Sequence, residues 1–271
     1  MRIALITSNE IRHIFFRRMV NTFQKSSVVF CLCETTDNSH YNQVLNKEDS
    51  TTAEKNHFIQ RENTEKDFFQ VFVENSEEAK NTHFVNKGAI NSDRILQDKL
   101  YQSKPDIIVS YGSSIIKDNI INKFPGKFLN IHLGLSPYYK GAGTNLWPLV
   151  NNEPEYLGIT YMYIDAGIDT GPILHQIRPN IYAYDNVHTI GNRLIKDMTI
   201  DLDFLLSKVE KINSIPQWKV ANEKTYKKKD FNETSLVSLY ENITNGMLKN
   251  YLSNKKKRDQ KVPIVKFGIL E

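Results

Sequence analysis

Three polar side chains in this 271-residue chain stand where chemistry, rather than solubility, would put them. Asn130 and His132 alternate with Leu129, Ile131 and Leu133 in a short apolar run. On a strand, residues two apart share a face, so the amide and the imidazole point the same way. Asp169 follows in the Gly-rich turn DAGIDTGP, after the apolar strand Gly158 to Ile164. A carboxylate at the end of the next strand can reach back to the imidazole. Together the three suit acyl transfer to an amine, in which charge builds on the carbonyl oxygen while a proton leaves the nitrogen. Asn130 can donate to the developing oxyanion, an interaction whose loss typically costs about 10²–10³ in rate. His132 can carry the proton near neutral pH, and Asp169 can fix its tautomer and stabilise its charged form. For an isolated Asn-x-His the alternative is a satisfied core histidine beside a strand-end asparagine. Gly134, Pro137, Gly141, Gly143, Gly167 and Gly171 weigh against it here, because they wrap the polar groups in tight backbone.

Such groups need a rigid sheet to bring them together, and the rest of the chain reads as one. With 40% hydrophobic residues, 271 residues suffice for a real core and fit one large domain or a domain plus an appendage. Arg2 to Thr7 and Val28 to Cys33 read as strands, and Asn9 to Phe23 as a helix with Ile11, Phe15, Met19 and Phe23 on one face. The polar stretch Glu34 to Lys66 is either a helix-containing excursion or a loose surface loop. Phe68 to Val73 and His83 to Val85 read as short strands, and Asn91 to Gln102 as a helix. Asp106 to Tyr111 is almost wholly apolar, as strands buried on both faces are. Strands alternating with helices predict an α/β fold with a doubly wound, mostly parallel sheet. Ser110, Tyr111 and Gly112 then fall at the carboxyl edge of a strand, where open α/β sheets bind ligands. Val187 to Val209 carries Ile190, Leu194, Met198, Leu202 and Leu205 at helical spacing, and Glu233 to Leu252 reads as a further helix. We therefore expect a catalytic domain over 1–209 and a mainly helical C-terminal extension over 210–271.

Composition excludes several classes. The net charge of +4 is mild and 31 acids nearly balance the bases, so wholesale nucleic-acid binding is not indicated. The two cysteines, Cys31 and Cys33, lack neighbouring ligands for a metal, and no metal is expected. No apolar run approaches the roughly 18 residues of a membrane span, and nothing reads as a signal peptide. The chain reads as cytoplasmic.

The segment from about 105 to 178 resembles the folate-dependent formyltransferases, the group that includes glycinamide ribonucleotide, methionyl-tRNA and amino-sugar formyltransferases. Asn130, His132 and the following LGLSPYYKG match the family's Asn-x-His and Gly-ended loop, and Asp169, Thr170 and Gly171 match its Asp-x-Gly. The resemblance implies a Rossmann-like formyltransferase fold, Asn130, His132 and Asp169 as the catalytic set, and 10-formyltetrahydrofolate as the formyl donor. It also implies that the backbone after Gly112, including Ile115 and Ile116, lines a pterin pocket that Asp165, Ala166, Gly167 and Ile168 complete. Ile115 and Ile116 are equally well explained as helix core.

The acceptor side is less defined. The first strand runs into TSNEIRH, with no glycine before Gly88. A phosphate cradle at this turn normally needs glycines, and the glycinamide ribonucleotide enzymes carry one, so this chain departs from them. Asn9, Arg12 and His13 can contact a substrate from the helix start or simply form a solvated first turn. Tyr138 and Tyr139 can wall an amine pocket, and Lys140 can meet a phosphate or carboxylate; exposed loop tyrosines and a solvated lysine are the alternatives. Thr144 is a candidate helix cap and Trp147 a packing residue. The region past 210 does not read as the β-barrel that tRNA formyltransferases carry at their C-terminus. The expected acceptor, by elimination, is a nucleotide-linked amino sugar, with a homodimer left open. The alternatives are a methionyl-tRNA formyltransferase-like enzyme and a 10-formyltetrahydrofolate hydrolase or non-catalytic folate-binding relative.

Overall fold

The computed structural model of the chain describes residues 1–35, 40–221 and 223–271. Seven strands among them form one sheet: β1 (Arg2–Ser8), β2 (Ser27–Thr35), β3 (Thr82–Asn86), β4 (Ile107–Tyr111), β5 (Phe128–His132), β7 (Ile159–Tyr163) and β8 (Ile173–Ile177). A short strand between them, β6 (Tyr139–Gly141), lies outside this sheet. The order is β3-β2-β1-β4-β5-β7-β8. The first five strands pair in parallel, and β5–β7 and β7–β8 are antiparallel. The expected doubly wound, mostly parallel sheet is therefore present. The chain winds outward from β1 in both directions, so the β1–β4 junction is the switch point beside which such sheets open a crevice.

Both faces are covered, which explains the wholly buried β4. On one face pack α1 (Ile11–Val20), α3 (Thr52–Glu74) and α7 (Val187–Leu206), which bury Phe15, Phe16, Phe69, Leu194, Met198 and Leu202 over β1 and β4. On the other lie α4 (Arg94–Gln102) and α5 (Asp118–Ile121), with Leu96, Leu100 and Ile120 against Ile6 and Ile108.

The excursion after β2 is helical in its described part, with α2 (His40–Asn46) followed by α3; residues 36–39 of it lie outside the described residues. Phe68 to Val73, expected as a strand, is the last turn and a half of α3. A capping box at Thr51 and Glu54 starts this helix. Its aromatic residues then meet α1 at helical spacing, with Phe69 and Phe72 4.8 and 5.2 Å from Phe15. Tertiary packing overrides the strand preference of an aromatic run.

Beyond α7, Ile215 bridges to Ile173 of β8, and β9 (Lys224–Tyr226) pairs in parallel with β6. Between β6 and β7 lies α6 (Trp147–Val150). The expected helix over 233–252 is two, α8 (Glu233–Thr244) and α9 (Met247–Ser253), broken where Gly246 adopts φ +81°. Then come α10 (Lys255–Asp259) and the hairpin of β10 (Val265–Lys266) and β11 (Ile269–Leu270). No helix of the described residues is long and apolar enough to cross a membrane.

Candidate active site

The parallel register of β4 and β5 sets Ser110 opposite Asn130. Ser110 Oγ donates to Asn130 Oδ1 at 3.0 Å, which turns the amide so that Nδ2 faces Asp169 Oδ1 at 3.4 Å. The other carboxylate oxygen of Asp169 lies 3.3 Å from His132 Nδ1 and accepts from the Gly141 N–H at 2.9 Å. Asn130, His132 and Asp169 therefore meet at one point at the rim of the sheet. His132 Nε2 lies 2.9 Å from the Tyr139 carbonyl oxygen. Both ring nitrogens thus face acceptors; a neutral ring can donate to one of them, and a protonated ring to both. The imidazole has a hydrogen-bonding place ready for a second proton.

Asp169 holds a left-handed conformation, φ +53°, which costs a non-glycine residue about 1–2 kcal/mol. Gln217, from the segment after α7, secures the turn by donating Nε2 to the carbonyls of Asp169 (2.8 Å) and Gly171 (2.9 Å).

Asn130 and Asp169 form part of the wall of a cavity of 710 Å³. Ser110, Gly112, Ile115, Ile116 and the 165–168 loop line it as well, so these expected cofactor-side residues are brought together. Ile115 is not helix core: it lies in the coil after β4, 76% exposed. Glu34, buried at the end of β2, holds this coil by accepting from the Ser114 N–H (2.6 Å) and Ser114 Oγ (2.5 Å). Tyr111 is a correction. Neighbouring strand residues point to opposite faces, and with Ser110 toward Asn130 the Tyr111 ring turns into the core against His13 and Phe16.

The expected acceptor residues separate. Tyr138 and Tyr139 are buried, not exposed: Tyr138 packs on Tyr156 and Trp218, and Tyr139 donates its hydroxyl to Glu153. Lys140 is buried too, paired with Glu223 at 2.9 Å. None of the three lines a described cavity near the site; it is the backbone of this loop that serves His132 and Asp169. Thr144 is no helix cap, since its hydroxyl donates to the Leu133 carbonyl at 2.8 Å. Trp147 packs as expected, stacked on Tyr226 at 3.9 Å. His13 is buried behind Gly112, whose φ of +66° and close approach to the His13 ring leave no room for a Cβ. Asn9 and Arg12 line a small cavity of 270 Å³ beside α2 and α3.

Arg12 also lines a larger cavity of 650 Å³, between α3, the N-terminus of α7, α8 and the loop after β6. Leu133, Ala142 and Gly143 carry its wall up to the residues flanking His132. On its wall, Arg12 and Arg61 are bonded to Glu65 and, outside the cavity, to Glu10. Burial works against these charges, but the opposite charges win: Arg12 stays above the ordinary arginine value and both carboxyls stay below theirs. His57 and His188 face each other across 4.7 Å. Burial, helped by His188 and Arg61, pulls His57 down to about 3, and burial with Arg61 pulls His188 down to about 4.

A pH dependence follows. Both imidazoles are neutral in the folded chain and take up protons near 6.5 when exposed by unfolding. Their contribution to stability is complete above pH 6.5 and is lost as pH falls from there towards 4, because the unfolded chain binds more protons in that window. The Tm should fall over this range, before the Glu10–Glu65 carboxyls titrate. A His57→Phe/His188→Phe double variant should have a flatter profile in thermal denaturation; an equally steep one would contradict the assignment.

Sequence reading missed His57, Arg61, His188, Asn192 and Gln217. His188 and Asn192 did leave a signal, two polar residues four apart on the otherwise apolar face of a helix. His57, Arg61 and Gln217 left none, since what defines them is a partner remote in the chain. Among the described residues no group of three or more His, Cys, Asp or Glu could hold a metal ion.

Comparison with known proteins agrees with this geometry. The formyl transferase family matches residues 11–200. The methionyl-tRNA formyltransferase of Solibacter usitatus is 42% identical over 88 residues, 32% of this chain and 28% of that protein. The chain thus spans well under half the length of the curated relatives it matches. Among solved structures, the phosphoribosylglycinamide formyltransferase of Anaplasma phagocytophilum superposes with a TM-score of 0.55 at 15% identity, over 84% of this chain and 98% of that one. The N-formyltransferase of Helicobacter canadensis, solved with folinic acid and dTDP-3-aminofucose, gives 0.52 at 16%, over 88% and 79%. At such identities the structures establish a shared fold. With most of its length matched by the family, the chain belongs to the formyl transferases.

Proposed function

We propose that this chain transfers a formyl group from 10-formyltetrahydrofolate to a primary amine on a small molecule, a nucleotide-linked amino sugar. The observation that carries the reading is the meeting of Asn130, His132 and Asp169 between two cavities of 710 and 650 Å³, each within the range of about 300–1,000 Å³ common for small-molecule sites. The first cavity suits the folate. Its walls combine Ile115, Ile116 and Ile168 with the backbone of 112–115 and 165–168, apolar surface for a flat heterocycle and amide groups for its ring nitrogens and carbonyl. Bound there, the folate supplies the formyl carbon.

Within the site, Asn130 Nδ2 donates to the formyl oxygen as the amine attacks and that oxygen gains charge. The Asp169–His132 pair takes up the proton the amine loses and returns it to the folate nitrogen as the carbon–nitrogen bond there breaks. Gln217 and the Gly141 N–H hold Asp169 in place through both steps.

The first turn supports a sugar-linked amine over a phosphoribosyl one: it lacks glycine, and Arg12 beside it is already engaged by Glu65. The fold itself serves both acceptors, being shared by the Helicobacter canadensis protein, solved with an amino sugar on a nucleotide, and by the phosphoribosylglycinamide formyltransferase of Anaplasma phagocytophilum. The matches to methionyl-tRNA formyltransferases favour a second reading, formylation of an aminoacyl-tRNA. A mass-spectrometric screen of nucleotide-linked amino sugars for gain of one formyl group tests the first, and a gel shift with initiator tRNA, tight and salt-sensitive if positive, tests the second. Formate release from the donor alone, without formylation of any acceptor, would replace both with hydrolysis.

A further inference from the structure

His188 and Asn192 stand four residues apart on α7 and so share a face. The other residues of α7 that line the cavity, Val187 and Ile195, are apolar and buried. The His188 and Asn192 side chains are themselves more than nine-tenths buried, 6% and 4% exposed, and both line the 650 Å³ cavity. Yet His188 Nε2 and Asn192 Nδ2 have no hydrogen-bond partner among the described residues. Buried polar groups in folded proteins are normally paired, because an unpaired one forfeits its hydration for nothing. Two such groups on residues of one cavity wall can serve something that enters the cavity, once a small turn of each side chain brings the now covered atom to its surface.

The charge around them narrows what that is. The half-buried cations on its wall, Arg12 and Arg61, are both bonded to Glu65, which lines the same cavity, and to Glu10, which does not, so their charges are already matched. Exposed cations, Lys228 and Lys229, stand at the rim. A phosphate on the floor would meet Glu65 as closely as it met Arg12, whereas at the rim it would meet lysine. A ring bearing neutral hydrogen-bonding groups fits the floor.

Resting on the amino-sugar reading above, we propose that His188 and Asn192 are the pair that reads the acceptor, by hydrogen-bonding uncharged hydroxyl or acylamino groups on the ring that carries the amine. Asn192 Nδ2 donates to an oxygen of that ring, and His188 Nε2 pairs with a second group. The phosphates of the attached nucleotide remain at Lys228 and Lys229. The pair thereby selects a hydroxylated ring over a phosphorylated one.

Asn192→Leu and His188→Phe test this, assayed with a panel of dTDP- and UDP-linked amino sugars. For the panel member the wild type formylates, each variant should raise the acceptor KM at least about tenfold, the size expected for one lost hydrogen bond to a buried partner. The Kd for tetrahydrofolate should hold. At pH 7.5 the Tm should stay or rise, because each substitution removes an unpaired buried polar atom, and a purely structural role would lower it. A wild-type acceptor KM in both variants overturns the inference and leaves the amino-sugar reading standing. So does a drop in Tm accompanied by weaker tetrahydrofolate binding. A panel in which the wild type formylates nothing overturns the amino-sugar reading and this inference with it.

Discussion

Asp169→Asn and His132→Asn should each lower the single-turnover rate of formyl transfer at least about 10²-fold, the usual size of acid–base and electrostatic contributions. The Asp169 substitution is nearly isosteric, which makes it the sharper of the two. Both carboxylate oxygens now receive donors: Oδ1 faces Asn130 Nδ2, and Oδ2 accepts from the Gly141 N–H while facing the His132 ring. An amide has one acceptor oxygen. Whichever way it turns, its NH₂ group confronts either Asn130 Nδ2 or the Gly141 N–H, and the negative charge opposite the imidazole is gone. In the proposed mechanism the oxyanion donor is then misdirected and the proton loses its path. His132→Asn keeps a polar group but cannot span from the Asp169 carboxylate to the Tyr139 carbonyl. Binding of tetrahydrofolate, measured separately, should survive the His132 change, since His132, unlike Asp169, does not line that cavity. Near-wild-type rates in either variant would remove the triad from the mechanism.

How much of this was legible in the chain can be judged residue by residue. Period two along Leu129–Leu133 places Asn130 and His132 on one face, and the glycine-rich turn delivers Asp169, so the meeting of the three follows from local rules. The same period should have separated Ser110 from Tyr111, for two neighbours on a buried strand cannot both face one cavity. Phe68 to Val73 read as a strand because aromatic residues favour strands, and only its contact with Phe15 of α1 decides for helix. Tyr138, Tyr139 and Lys140 misled for a related reason. Their loop looks exposed until Trp218, Glu223 and Lys224, more than seventy residues further on by number, fold over it. What local pattern could not reveal was in each case a contact made across the fold.

That loop carries the second large effect. Gly141→Ala should lower kcat at least about 10²-fold, although no side chain that touches a reacting atom is altered. Gly141 sits at φ +87°, where an added Cβ costs about 1 kcal/mol or more on its own. Here the Cβ would also overlap the carbonyl oxygen of Tyr226, the residue paired with Gly141 between β6 and β9. Tyr226 cannot easily withdraw: its carbonyl accepts from the Ala142 N–H at 2.9 Å, its ring stacks on Trp147, and its hydroxyl accepts from Asn151 at 2.9 Å. The strain must therefore shift β6, whose backbone supplies the Tyr139 carbonyl to His132 and the Gly141 N–H to Asp169. A misplacement of about 1 Å at a reacting centre is enough for a 10²-fold loss. The cavity proposed for the folate contains no residue of β6, so tetrahydrofolate affinity should be retained while turnover falls. That split separates a displaced site from a damaged fold. Wild-type kcat in the variant, or kcat and tetrahydrofolate affinity collapsing together, would show that β9 does not set the geometry of the reacting groups through Gly141.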